Sequence, residues 1–390
     1  MSPADRQLDR ALMERAIELA IAGRGRVEPN PTVGCVIARD GRIIGEGYHA
    51  LYGGPHAEPA ALAACSESPE GATVYVTLEP CSHTNKKTPP CAPRLVEARV
   101  GRVVIGCLDP NPQVNGRGVA LLRQSGVTVD ISDLEARCRQ LIAPFVARQL
   151  LNRPYITLKW AQSADSRIAG PGGVRVRISN ERSYRVIHHL RARCDAIMVG
   201  INTVLKDDPL LTARHVPEAR PLLRLVLDSQ LRLPPTSQLV RTAKDDVLVF
   251  HAPGADQPAE PIPQAVTLIP VPTDDEGRLR LDQVIAALQP WSPTHLLVEP
   301  GPTLAEGFFR SGLVDRVWVI RSPREIGDDT APAAPVVPAD YAVAGEIDLD
   351  GDRLTEYLNP ASPTFATAVA SADLQLTERG HASSSPSPQE

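Results

Sequence analysis

Apolar positions in the first third of the chain follow two alternating periods. Leu8, Leu12, Ala16, Leu19 and Ala20 recur at helical spacing and predict an opening helix that Gly23 and Gly25 stop. The run TVGCVIARDGRIIGEGYH predicts two strands about an Asp40-Gly41 turn, because that dipeptide tolerates the positive φ of a tight hairpin. HAEPAALAAC predicts a short helix with Pro59 in its first turn, where a missing N–H costs little. ATVYVTLEP predicts a strand, VEARVGRVVIGCLDP a helix end and a strand, and GVTVDI a further short strand. A helix from Leu134 to Leu150 follows, broken by Asn152-Arg153-Pro154.

A second alternating series starts at Tyr155. YITLKWA, DAIMVGI, LRLVLDS, DVLVFHA, VTLIPV, HLLVEP and RVWVIR are strand-like runs separated by helical or loop stretches, which implies an α/β domain with a mainly parallel sheet. The 38 prolines fall largely in its loops, as in HAPGADQPAEPIPQ. The pattern leaves open whether the stretch after Gly327 completes that sheet. HASSSPSPQE is polar and Ser/Pro-rich, the composition of a disordered tail. These shifts divide the chain into residues 1–147, residues 148–375 and a tail, 376–390.

At 390 residues the chain exceeds one compact core, in keeping with two domains. Charged residues make up 22%, the net charge is −5, and no block of like charges occurs, which argues against a nucleic-acid tail or a polybasic membrane anchor. The charged N-terminal stretch lacks the apolar core of a signal peptide. No run approaches the roughly 18 apolar residues of a membrane span. Seven scattered cysteines argue against a disulfide framework and for a reduced, cytoplasmic setting with a metal role for a subset.

The strongest chemical signal is His56-Ala57-Glu58 followed by Pro80-Cys81 and then Cys91. A zinc site that hydrolyses needs three protein ligands and one open position for water. His56, Cys81 and Cys91 provide an imidazole and two thiolates, and Glu58 is placed to reach the water without joining the metal shell. The arrangement matches the His-x-Glu…Pro-Cys signature known for zinc deaminases, except that nine residues separate the cysteines here. Unrelated buried thiols, or a closed structural zinc site with His83 as fourth ligand, are the competing readings; the second leaves Glu58 without a role.

The string VTLEPCSHTNKKTPPC resembles the signature of the bifunctional deaminase/reductase family of riboflavin biosynthesis, with a cysteine loop one residue longer than is common there. PNPTVGCVI, GEGYH, GGPHAE and DPNPQVNGRG resemble the family's blocks in the family's order, and the similarity runs from near residue 8 to at least residue 327. The resemblance implies a cytidine-deaminase-like three-layer α/β/α domain followed by a dihydrofolate-reductase-like α/β domain. It implies zinc (Zn2+) and NADPH as cofactors and phosphoribosyl pyrimidines as substrates: a zinc hydrolase joined to an NADPH-dependent oxidoreductase, cytoplasmic and self-associating. Glu58 would be the proton shuttle of the deaminase, and Asn30 and His49 would bind the heterocycle. An Asx-turn before Pro31 and a surface histidine at a strand end are the plain alternatives for those two. Lys86 and Lys87 are candidates for the substrate phosphate or simply a solvated loop tip.

The second half has no G-x-G-x-x-G after a strand; it has VEPGPTLAEGFFRSGLVD, a strand, a turn and a helix whose free N–H groups favour phosphate. LRARCDAIMVGINTVLKDDPLLTAR, LVLDSQ and VEPGPTL resemble the family's reductase blocks. That match implies NADPH contacts at Ala161, Thr203, Asp207, Ser229 and Gly301, Pro302, Thr303, Leu304, Ala305, Glu306 and Gly307. It implies substrate contacts at Lys159, Asp165, Arg191, Leu211, Arg214 and Glu299, with the two arginines suited to phosphate by their planar forks. Three positions depart from the family: Ala164 and Ser166 replace Leu and Gly, and Arg177 stands where a tryptophan is usual. These departures motivate the alternative of a deaminase with an impaired or altered reductase half. A nucleic-acid base deaminase with an accessory second half, and a zinc-stabilised binding module, are the rivals of other classes; the acidic balance opposes the first and Glu58 the second.

Overall fold

Helix α1 (Pro3–Ala22) starts at a capping box in which Ser2 and Asp5 each accept the other's backbone N–H, satisfying two donors that a helix start leaves free. The computed structural model that begins with this helix describes residues 2–82, 89–216, 220–256, 260–365 and Leu374, and the chain divides into two units, Met1–Asn152 and Arg153–Glu390. After α1, strands β1 (Gly34–Arg39) and β2 (Arg42–Tyr48) form the expected antiparallel hairpin, with Asp40 (φ 48°) and Gly41 (φ 78°) in its turn. There follow α2 (Ala57–Ala63), β3 (Thr73–Val76), α3 (Cys91–Glu97), β4 (Arg102–Ile105), α4 (Arg117–Gln124), β5 (Thr128–Ile131), α5 (Glu135–Leu141) and α6 (Ala143–Leu151).

The first sheet has the order β2-β1-β3-β4-β5, antiparallel up to β3 and parallel beyond it. Helices α2, α3 and α4 bury Ala61, Leu95 and Leu122 against Ile37, Val74 and Ile105 on one face, while α1 packs on the other through Met13, Ala16 and Ile17. The result is three layers, α/β/α. Helix α2 lies unusually close to β2, because Gly45 and Gly47 face it: a Cβ at either would come within 2.6 Å or 2.3 Å of the Ala61 backbone. That contact sets the position of His56, at the N-cap of α2, and of Glu58 in its first turn.

Residues 134–150 are two helices rather than the single one expected. Pro144 has no N–H to bond the Gln140 carbonyl, and the chain breaks at Ile142 (φ −102°, ψ 16°). Helix α6 then runs on to Leu151 and closes at Asn152 in the left-handed region (φ 51°), so the division falls after residue 152, not after 147.

In the second unit all seven expected runs are strands: β6 (Tyr155–Gln162), β7 (Ala196–Gly200), β8 (Leu223–Leu227), β9 (Val247–His251), β10 (Val266–Pro270), β11 (His295–Val298) and β12 (Arg316–Arg321). Its helices are α7 (Glu181–Ala192), α8 (Ile201–Asp207), α9 (Gln238–Arg241), α10 (Leu281–Ala287) and α11 (Pro302–Arg310). The stretch after Gly327 adds a hairpin, β13 (Ala342–Leu349) and β14 (Asp352–Leu358), and the sheet order is β10-β9-β8-β7-β11-β6-β12-β14-β13. The first seven run parallel, and only β14 and β13 are antiparallel to their neighbours. Helices α7, α8 and α9 cover one face through Leu190, Val204 and Leu239; α10 and α11 cover the other through Val284 and Phe308. Among the described residues no helix is long and apolar enough to cross a membrane. The tail expected at 376–390 lies outside the described residues.

Candidate functional site

In the first unit, three chain segments converge on one point. His56 caps α2, Cys81 follows the turn after β3, and Cys91 opens α3. The Nδ1 atom of His56 lies 3.7 Å from the Sγ of Cys81 and 3.3 Å from that of Cys91, and the three ligand atoms all fall within 4.8 Å of one another. Tetrahedral zinc with ordinary Zn–S and Zn–N bonds would set imidazole nitrogen and thiolate sulfur about 3.6 Å apart, so this donor set fits the ion in both chemistry and spacing. It is the one such group of three among the described residues. Between the thiols, the Cys91–Cys81 hydrogen bond pulls the Cys81 thiol down to about 4 against its burial and pushes Cys91 up. A bound cation would favour the thiolate form of both. His83, Lys86 and Lys87 lie outside the described residues.

Glu58 projects from the first turn of α2 and is buried. Burial, and then the nearby Cys81, raise its carboxyl to about 7, the range in which a group can both take and give a proton at neutral pH. Asn30 and His49 adjoin the metal ligands as a pair. The Asn30 Nδ2 donates to His49 Nε2 at 3.1 Å, and His49 Nδ1 donates to the Pro55 carbonyl at 2.8 Å. The His49 ring lies edge-on to His56 with centroids 5.5 Å apart. His49 is 3% exposed, so it is no surface histidine, and burial lowers its pKa and keeps it neutral.

One residue at this site escaped the sequence reading. The buried carboxylate of Glu79, two residues before Cys81, accepts the backbone N–H groups of Asp109, Gly116, Gly118 and Val119 at 2.8 to 3.2 Å. It ties the turn that carries Cys81 to the loop and first turn of α4, 30 to 40 residues away in sequence.

In the second unit a cavity of about 1030 Å3 opens where β7, β8 and β11 end, the place where parallel α/β sheets bind ligands. Thr203, Asp207, Ser229, Gly301, Pro302, Thr303, Leu304 and Gly307 line it, while Ala161, Ala305 and Glu306 do not. Ala305 is buried in the core beneath α11, and Glu306 is exposed and pairs with Arg310 at 3.9 Å. Arg177 does not line the cavity either; its exposed side chain pairs with Glu181 at 2.6 Å, and the neighbouring Arg175 and Val176 reach the cavity instead.

Lys159, Arg191 and Glu299 form a second group. Arg191 holds Glu299 in a two-bond fork at 2.9 Å, and Lys159 adjoins both. Burial lowers the Lys159 amine while Glu299 opposes the shift; Glu299 itself is held below the usual carboxylate range, because Arg191 and Lys159 outweigh its burial. Leu211 is buried and left-handed (φ 51°), and Arg214 lies beyond it in the same irregular stretch. Asp165 accepts from Ser163 Oγ at 2.5 Å and from the N–H groups of Ile326 and Gly327, which fixes its carboxylate in place.

Residues 6–107 match the cytidine and deoxycytidylate deaminase zinc-binding region, and residues 154–337 match the RibD C-terminal domain. The chain is 38% identical over 323 residues to the riboflavin biosynthesis protein RibD of Aquifex aeolicus, covering 83% of this chain and 89% of that protein. It is 39% identical over 333 residues to the Escherichia coli protein of the same name, covering 82% and 89%. Among solved structures, the Thermotoga maritima diaminohydroxyphosphoribosylaminopyrimidine deaminase/5-amino-6-(5-phosphoribosylamino)uracil reductase superposes with a TM-score of 0.79 at 33% identity, over 91% of this chain and 99% of that one.

Proposed function

The chain belongs to the bifunctional RibD deaminase/reductase family of riboflavin biosynthesis, and from that premise we propose how its own residues carry the two reactions. The first is hydrolytic deamination of 2,5-diamino-6-(5-phosphoribosylamino)pyrimidin-4(3H)-one; the second is NADPH-dependent reduction of the ribosyl group to ribityl. What carries the reading is the convergence of His56, Cys81 and Cys91 on one point with the Glu58 carboxyl buried beside them. Zinc held by those three would supply Lewis acidity, making water nucleophilic near neutral pH. Glu58 takes the proton of the attacking water and delivers it to the departing ammonia. The neutral His49, bonded through one ring nitrogen to Pro55 and through the other to Asn30, fixes the Asn30 amide, whose remaining polar atoms are offered to the heterocycle.

For the second step, bound NADPH would supply the hydride chemistry needed to reduce C1 of the opened ribosyl group. The start of α11 and Thr203, Asp207 and Ser229 would hold the cofactor in the large cavity. Lys159 and Glu299, paired through Arg191, are the polar groups offered to the ribosyl hydroxyls, and Arg214 is offered to the phosphate. The intact cavity, with Arg177 turned outside it, favours a working reductase over an impaired one.

Glu58→Gln is expected to abolish ammonia release from the phosphoribosyl pyrimidine while zinc stays bound at one equivalent, since the carboxyl is no ligand in this scheme. Turnover that survives the substitution would remove the proton shuttle. NADPH oxidation on addition of the deaminated substrate tests the second half separately, and its absence in a folded, zinc-loaded protein would defeat the reductase assignment.

A further inference from the structure

The stretch from Leu211 to His215 has no regular secondary structure, and both of its ends are left-handed: φ is 51° at Leu211 and 61° at His215. Non-glycine residues hold such angles only when their surroundings impose them. Three side chains of α7 hold the residues between those two ends. Tyr184, His188 and Arg191 are spaced i, i+4, i+7, so they share one face of the helix. Arg191 Nη1 donates to the Thr212 carbonyl at 3.2 Å, the backbone N–H of Arg214 donates to His188 Nδ1 at 2.9 Å, and Arg214 Nη2 donates to Tyr184 Oη at 2.7 Å.

The two arginines differ in what they have left to offer. Arg191 uses Nε and Nη2 on Glu299 and Nη1 on Thr212, so its fork is occupied. Arg214 uses one guanidinium nitrogen on a neutral hydroxyl, and among the described residues the rest of its donors are open to a ligand. His188 is 1% exposed and stacks edge-on against Tyr184, with ring centroids 4.4 Å apart. Its Nδ1 accepts a backbone N–H, so the ring is neutral with its proton on Nε2. Burial, and then the charges of Arg191 and Arg214, push its pKa down to about 4 and keep it in that form.

We infer that Tyr184 and His188 are positioning residues for the substrate phosphate in the reductase unit, acting through Arg214, which they fix at guanidinium and backbone respectively from a single helix face. The inference rests on Arg214 as a phosphate contact, as proposed above. His188 anchors the backbone, and Tyr184 aims the fork by holding one edge of it, so that less freedom is lost when an anion binds. Neither residue touches the reacting carbon.

Steady-state reduction is measured with the deaminated phosphoribosyl substrate and with its dephosphorylated ribosyl analogue, and inorganic phosphate serves as a competitive probe. Tyr184→Phe removes only a hydroxyl. It is expected to raise KM for the phosphorylated substrate about five-fold, the equivalent of one hydrogen bond, with kcat and the KM for the analogue unchanged. His188→Leu should raise the same KM about ten-fold or more and weaken inhibition by phosphate in proportion. His188→Asn, which returns an acceptor near the Nδ1 position, should recover most of the loss. Equal effects on the two substrates, or a failure of His188→Asn to outperform His188→Leu at matched thermal stability, would overturn the inference. Arg214→Ala separates it from its premise. If that variant leaves discrimination between the substrates intact, the phosphate assignment fails and takes the inference with it; if it abolishes discrimination while both α7 variants retain it, only the positioning role fails.

Discussion

Glu79→Gln is the sharpest probe of how the metal ligands are held. Each oxygen of the Glu79 carboxylate accepts two backbone N–H groups: Oε2 those of Asp109 and Gly116, Oε1 those of Gly118 and Val119. Glutamine replaces one oxygen with an NH2 group, so two buried N–H donors face another donor. A buried donor left without a partner costs about 1–3 kcal/mol, which puts the loss at about 4 kcal/mol for the first unit. For a unit of this size each kcal/mol lowers Tm by about 2–4 °C, so a fall of roughly 8–16 °C is expected. Gly118 offers no slack for relaxation, because even a Cβ there would lie 2.1 Å from the Pro80 carbonyl. Calorimetry of the full chain with and without a zinc chelator identifies the first unit's transition as the one that responds to the metal. Glu79→Gln should lower that transition and weaken zinc binding together, since the same turn carries Cys81, and should leave the second transition in place. A shift of less than about 2 °C with zinc affinity unchanged would show that the carboxylate does not hold the turn.

Other outcomes test the remaining parts. Asp315 is fully buried and accepts from both Nη atoms of Arg153, from the Ile156 N–H and from Ser362 Oγ; Asp315→Asn should cost the second unit about 3–5 kcal/mol in chemical denaturation, without moving the zinc-responsive transition. Asp9 accepts from Arg102 and from the Tyr75 hydroxyl, and these bonds outweigh its burial to hold its pKa below the ordinary 3.8. Their stabilisation is complete above the unfolded value and lost as pH falls through the lower folded one, so Asp9→Asn should flatten the acid limb of the first unit's stability curve below about pH 4. Arg177→Ala should leave the KM for NADPH within about two-fold of the parent, because an exposed i,i+4 ion pair is worth only tenths of a kcal/mol and the side chain lies outside the cavity; a larger effect would place Arg177 at the cofactor.

Much of the framework was readable one position at a time. The Asp40-Gly41 turn and the seven strand runs of the second unit announce themselves, because backbone preference and burial on both faces of a parallel sheet are written in neighbouring residues. The hairpin β13–β14 was not readable: AVAGEIDL buries only Ile347 and Leu349, so an edge strand with one half-open face leaves little apolar pattern. The break at Ile142 was legible in principle from Pro144, which the uninterrupted apolar spacing around it obscured.

The sequence by itself determined the chemistry available to the first unit: one imidazole, two thiols and a carboxylic acid in an order that matches a zinc deaminase. Residue type decides what can bind a cation or carry a proton, and that information is local. Tertiary structure alone decided which polar groups are free to act. It ties Asp165 to the backbone at Ile326 and Gly327, occupies the Arg191 fork with Glu299 while leaving Arg214 open among the described residues, turns Arg177 to solvent, and sets Glu79 to gather four N–H groups from a distant loop. Hydrogen bonds and burial of this kind join residues tens to more than a hundred positions apart, and no periodicity along the chain records them.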